Sequence, residues 1–128
     1  MSKVLLNKKY ITELSLGMNG IFAEGCIAIG QSLKDKKYVE VLNIKKNEVG
    51  LQGIKTLEDC LSLSKTLKEL NLSGNNIGDE GIEIVIKALS NKKRQSLQML
   101  MVSNNKISSR GCKLICLFID KCHSLEEL

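Results

Sequence analysis

Four side chains near the end of this sequence have the types and spacing to hold a metal. Cys112 and Cys116 lie one helical turn apart, Cys122 follows, and His123 is next to it. Thiolate and imidazole are the usual ligands of a tetrahedral zinc. His123 is also the single histidine of the 128-residue chain, which leaves general acid–base chemistry one candidate of that type. Adjacent carboxylates occur at Asp79 and Glu80, but they stand at the start of an apolar helical pattern, where complementing the helix dipole accounts for them. The sequence has no G-x-S-x-G, no P-loop and no dinucleotide fingerprint. Its Gly17-Met18-Asn19-Gly20 stretch belongs to a recurring loop, so it is read as no phosphate cradle. We therefore expect no catalytic residues, no enzyme activity and no cofactor.

What these residues do is set by the pattern that carries them. Residues 67–81, LKELNLSGNNIGDEG, follow the frame L-x-x-L-x-L-x-x-N-x-I-x-x-x-G, which recurs in weaker form at 11–25, 39–53 and 97–111. The central asparagines are Asn19, Asn47, Asn75 and Asn105, separated by 28, 28 and 30 residues. A fixed period of this size is the signature of a solenoid. Aligned on the frame, Cys112 shares a column with Cys26, Ile54 and Ile82, and His123 shares one with Lys9, Lys37, Lys65 and Gln95. The first column reads as core and the second as solvated, so packing outweighs the metal reading and no metal site is expected.

Each unit follows from elementary preferences. Leu14 and Leu16, Leu42 and Ile44, Leu70 and Leu72, and Leu100 and Val102 sit at period two, which turns one set of side chains inward. Short strands repeating in one direction should stack as a parallel sheet joined by helical crossovers. The turn Asn can satisfy backbone groups, and stacking would align the four in a hydrogen-bonded ladder. Ile21, Val49, Ile77 and Ile107 anchor the loop. Gly25, Gly53, Gly81 and Gly111 then permit close packing at the helix start. Ile29, Leu57, Val85 and Ile115, with Leu33, Leu61, Leu89 and Ile119 four residues on, form the helical core stripe, and Ser32, Cys60 and Ala88 fill a narrow column between, broken by the larger Phe118 in the last unit.

Composition agrees. Hydrophobic residues make up 43% and aromatics only 3%, with no Trp and no Pro, which suits many similar aliphatic layers. No apolar run approaches the ~18 residues that span a bilayer, and the Val4-Leu5-Leu6 run is too short for a signal sequence. Five cysteines without a framework spacing fit a reducing compartment, so we expect a soluble cytoplasmic protein and give no weight to the Asn71-Leu72-Ser73 sequon. One domain is expected over 1–128, with units at about 10–37, 38–65, 66–95 and 96–123 and partial units at 1–9 and 124–128. The two extra residues of the third unit fall in the polar 91–95 segment. Val4, Leu5, Ile11 and Leu14 at one end, and Leu125 and Leu128 at the other, should expose core layers. This implies either a longer array or self-association through uncapped terminal repeats.

With LKELNLSGNNIGDEG and its helix at 82–89, the sequence resembles the ribonuclease-inhibitor-type subfamily of leucine-rich repeat proteins. Its 28-residue period is similar to repeats of NACHT-domain innate immune receptors. The resemblance implies an α/β right-handed horseshoe, parallel sheet inside and helices outside, that binds macromolecules on its concave face. Members include inhibitors, receptor sensor arrays, actin-regulating tropomodulins and a GTPase activator, and they share no catalytic residues.

On that face the alternation places Glu13, Val41, Glu69 and Met99 in one column, and Ser15, Asn43, Asn71 and Met101 in the next. A third holds Gly17, Lys45, Ser73 and Ser103. The mixed signs point to a protein partner, with the adaptable Met99 and Met101 as the most informative pair. Lys8, Lys9, Lys36, Lys37, Lys65, Lys92, Lys93, Arg94 and Lys121 gather in the helix-to-strand connections, in keeping with a net charge of +5. Such a stripe could meet RNA or an acidic surface, yet it lacks interleaved aromatics to read bases, so solvated loops are the simpler reading and sequence-specific nucleic-acid binding is not expected. The expected function is protein binding through the concave sheet. A GTPase-activator-like or actin-regulator-like scaffold, or an electrostatic RNA or acidic-surface binder, are the alternatives.

Overall fold

A computed structural model of the chain describes residues 10–34, 38–90 and 96–128. Strand and helix alternate four times: β1 (Glu13–Ser15), α1 (Phe22–Leu33), β2 (Val41–Asn43), α2 (Gly50–Leu63), β3 (Glu69–Asn71), α3 (Gly78–Ser90), β4 (Met99–Met101) and α4 (Ser109–Ile119). The strands form one parallel sheet in chain order, and each helix packs on the next. The pairing keeps the frame: Leu14 lies against Leu42, Leu42 against Leu70, and Leu70 against Leu100. A short parallel bridge between Met99 and Glu127 places the last residues where a fifth strand would lie.

The core runs as columns between sheet and helices. Leu42, Ile44, Leu70, Leu72 and Leu100 from the strand segments meet Ile29, Ile54, Leu57, Ile82 and Val85 from the helices, all nearly inaccessible to solvent. The expected ladder is present, and its bonds run between side chain and backbone. The Asn47, Asn75 and Asn105 carboxamide oxygens accept from the N–H groups of Asn19, Asn47 and Asn75 at 2.8, 2.9 and 2.8 Å. The Nδ2 of Asn75 donates to the Ile44 and Leu72 carbonyls at 2.9 Å each. A second ladder has no counterpart in the expectations: the hydroxyls of Thr66, Ser96 and Ser124 donate to the carbonyls of Val39, Leu67 and Leu97 at 2.8, 2.7 and 2.7 Å. The first two units hold Tyr10 and Tyr38 in that column, and their rings meet at a tilt of 39° with centroids 5.5 Å apart.

The loops are wound tightly. The residue before each ladder Asn is left-handed (Met18, Lys46, Gly74, Asn104), and so is the residue after it (Gly20, Glu48, Asn76, Lys106). Three residues past the Asn, Phe22, Gly50 and Gly78 are left-handed too, whereas Ser108 in the fourth unit is extended and caps α4 through its side chain to the Arg110 N–H.

Two core expectations fail at the last unit. Cys112 and Ile119 are exposed, although Cys26, Ile54 and Ile82, and Leu33, Leu61 and Leu89, are buried in the same columns. The columns bury a side chain only where another layer covers it, and among the described residues no fifth helix follows α4. The open ends are also smaller than expected: Leu14 is buried and Leu125 packs against the core, while Leu128 remains exposed. Val4 and Leu5 lie outside the described residues.

This layering sorts the five thiols. Cys26, Cys60 and Cys122 are buried, Cys112 and Cys116 are exposed, and burial pushes the Cys26 thiol up to about 11. Thiolate, the reactive form, is therefore suppressed at Cys26. Iodoacetamide at neutral pH is expected to alkylate Cys112 and Cys116 at least ~10-fold faster than the buried three. Five similar rates by mass spectrometry would contradict this packing.

Candidate functional site

Because the central leucine of each strand points into the core, its two neighbours must point to the opposite, helix-free face of the sheet. The register brings together the residues expected there. Glu13, Val41, Glu69 and Met99 form one row across the sheet, and Ser15, Asn43, Asn71 and Met101 a second. The residues differ in how available they are. Glu13 and Ser15 are exposed, and Val41, Asn43, Glu69, Met99 and Met101 are half-buried. Asn71 retains 9% of its surface.

The two asparagines of the second row serve their own chain. Asn43 accepts from the Lys45 N–H at 3.2 Å, and Asn71 accepts from the Ser73 N–H at 3.0 Å. They hold the strand exits, a role that their strand position alone did not signal. Lys45 lies across the missing side chain of Gly17: a Cβ there would stand 2.9 Å from the Lys45 Cγ. The first row carries no such loop-closing bond. A half-buried apolar pair at β4, beside Glu69 of β3 and with Glu13 at the far end of the same row, therefore makes up most of the face's distinctive chemistry.

Met101 also borders a groove of about 590 Å³ at the end of the sheet, lined with Asn105, Ile107, Cys112, Ile115 and Leu128. The sheet face thus continues around its C-terminal edge onto the open side of the last layer. Beside the helix-free face, Lys68 and Glu40 pair at 2.9 Å, with both side chains largely solvated.

A polar clamp ties the third and fourth units on the helical side. Asp79 accepts from the Ser108 hydroxyl and from the Ser108 N–H at 2.8 Å, and Arg110 pairs with Glu83 at 2.6 Å. The Ser108 hydroxyl, then its backbone N–H, holds the Asp79 carboxyl below the usual carboxylate range. Asp79, expected only to complement its helix, thus also reaches into the next repeat. Of the basic edge, Lys65 and Lys121 are exposed, while Lys8, Lys9, Lys36, Lys37, Lys92, Lys93 and Arg94 lie outside the described residues. Cys112, Cys116 and His123 are all exposed, and among the described residues no group of three or more acidic, thiol or imidazole side chains could hold a metal ion. No described helix is long and apolar enough to cross a membrane.

Comparison with known proteins agrees with this architecture. A family model described as Leucine Rich repeat matches residues 7–30 and 63–83. No curated protein sequence matches the chain. Among solved structures, the actin-binding site 2 of leiomodin-1 superposes with a TM-score of 0.83 at 19% identity, covering 98% of this chain and 73% of the other. The C-terminal domain of a Caenorhabditis elegans tropomodulin gives 0.84 at 15% identity, covering 98% and 80%. At such identities the likeness is one of fold. The asparagine ladder, the four-stranded parallel sheet and the structural likeness give this chain the α/β solenoid fold of leucine-rich repeats, and the family model matches two segments of it.

Proposed function

We propose that the chain is a non-catalytic module that binds a protein partner on the helix-free face of its sheet. The observation that carries this reading is the Met99 and Met101 pair, half-buried in adjoining rows beside Glu69 and continuous with the groove bordered by Met101 and Leu128. An adaptable apolar centre with charged neighbours fits a protein surface better than a phosphate backbone or a small ligand. The non-catalytic part rests on the sequence, which holds one histidine and none of the nucleophile or phosphate motifs sought in it. A reducing compartment such as the cytoplasm suits five cysteines that form no disulfide.

A second reading, an actin-regulating scaffold, is favoured by the two structural neighbours, one an actin-binding site of leiomodin-1 and the other a tropomodulin domain. Kinship with ribonuclease-inhibitor-type repeats is supported by residues 67–81 with the helix at 82–89, and kinship with NACHT-receptor repeats by the 28-residue period. Cosedimentation with filamentous actin separates the readings, using the wild type, Met99→Ala/Met101→Ala and Lys65→Glu/Lys121→Glu. Actin binding weakened ~10-fold or more by the methionine pair alone supports the face and names the partner. Loss with the lysine pair alone, in a salt-dependent manner, would move the site to the basic edge. With no actin binding, the same three proteins used as bait in their source cell test the general reading. A captured protein that the methionine variant retains in full refutes the assignment of the face.

A further inference from the structure

The outward side of α4 is a separate surface with its own chemistry. Ser109, Cys112, Lys113, Cys116, Leu117 and Asp120 line an open groove of about 600 Å³ along it. Spacings of three and four residues put all six on one helical stripe. Part of this stripe is the layer side that the earlier helices cover: Cys112 takes the column of Cys26, Ile54 and Ile82. Two residues depart from the frame. The column of Leu117 holds Gln31, Asp59 and Lys87 in the other units, yet Leu117 is apolar and 58% exposed. The column of Asp120 holds Lys34, Ser62 and Ser90, so this acid is also particular to the last unit.

The charges on the stripe are one cation and one anion, Lys113 and Asp120, seven residues and about 10 Å apart along the helix. They flank Cys116 and Leu117. This pattern is complementary to itself. A twofold axis through the midpoint between Cys116 and Leu117 lays a second α4 antiparallel on the first. Each Lys113 then meets the other copy's Asp120, and the apolar pair is covered at the centre. An axis of this kind forms two ion pairs from one sequence, whereas a parallel α4 in register would set like charges side by side.

We propose that a second copy of this chain docks here, α4 against α4, as a twofold dimer whose orientation is set by the Lys113 and Asp120 pairs. The contact uses one helix face, so the affinity falls at the weak end of specific interfaces, where complementary charge decides register. It leaves the helix-free sheet face open and is independent of the partner reading above.

Sedimentation velocity of the full chain at low salt, from about 10 µM to about 1 mM, tests the proposal. The wild type is expected to pass from monomer to dimer with concentration. Asp120→Lys should weaken the dimer ~10-fold or more, and Lys113→Asp/Asp120→Lys should restore it. Leu117→Gln, the residue its column holds at Gln31, should weaken it without altering charge. In Cys112→Ser, a short bismaleimide should join two copies through Cys116. A wild type monomeric throughout the range overturns the proposal. So does a dimer indifferent to Asp120→Lys, or one that the charge exchange fails to restore while circular dichroism shows each variant folded.

Discussion

Asn75→Leu is expected to lower stability by about 3–5 kcal/mol, and the melting temperature by roughly 10–20 °C. Asn75 is fully buried. Its Nδ2 donates to the Ile44 and Leu72 carbonyls, but each also receives a bond from another ladder asparagine, Asn47 or Asn105. Those acceptors survive the substitution. The Oδ1 is different, because it accepts from the N–H of Asn47 at 2.9 Å and from that of Val49 at 3.4 Å. A leucine, branched like asparagine but without its oxygen, leaves both donors stranded in the core, and each buried unpaired group costs roughly 1–3 kcal/mol. Asn19 occupies the same frame position at the exposed end, donating to the Leu16 and Gly17 carbonyls of its own loop. Asn19→Ala should therefore cost less than about 1 kcal/mol. Equal melting shifts for the two would show that the ladder is ornamental.

The second large effect concerns Gly53, at a helix position where backbone freedom is beside the point. A Cβ built there collides with the Cγ1 of Val49, the loop anchor four residues earlier, and stands 3.3 Å from the Cys26 Sγ and 3.4 Å from the Ala23 Cα of the previous layer. The anchor occupies the place a side chain would take, and the neighbouring helix closes the other side. Gly53→Ala should destabilise by about 1–3 kcal/mol, as overpacking of a close-packed interior does. Val49→Ala removes the colliding methyl, so the double variant should be less unstable than the two single effects summed. The expected coupling is about 1 kcal/mol by urea denaturation. Additivity within ~0.5 kcal/mol would place the strain elsewhere. Gly78 needs glycine for the other reason: it is left-handed at φ 66° with open space around its Cα.

The contrast between these glycines shows what the sequence makes legible. A 28-residue spacing of like residues reveals the order of strands, their register and the row of asparagines, because stacking forces equivalent positions into contact. Burial is a property of neighbouring layers, so Cys112 and Ile119 look like core in any alignment and are exposed only because α4 is the last described helix. Backbone shape was hidden for a related reason. Met18, Lys46, Glu48 and Lys106 are left-handed without being glycine, since the ladder holds the loop against their own preference. The helix-free face was legible as rows. That Asn43 and Asn71 are turned toward the backbone, and that Lys45 covers Gly17, depends on side-chain positions that period two does not specify.

The asparagine ladder also has a polarity. From Asn47 onward each carboxamide reaches backward: Asn47 receives the N–H groups of Asn19 and Ile21 and donates to the Leu16 carbonyl, while Asn105 does the same for Asn75, Ile77 and Leu72. Each unit thus latches the loop that precedes it, and stability propagates against the direction of the chain. The first described loop is fastened from behind although it lies near an edge. The loop around Asn105 has no later carboxamide among the described residues to fasten it. In an array governed by nearest-neighbour terms, fraying should then be lopsided. Amide exchange would be quickest around Asn105 and slow toward Asn47, so that the solenoid unzips from one end only.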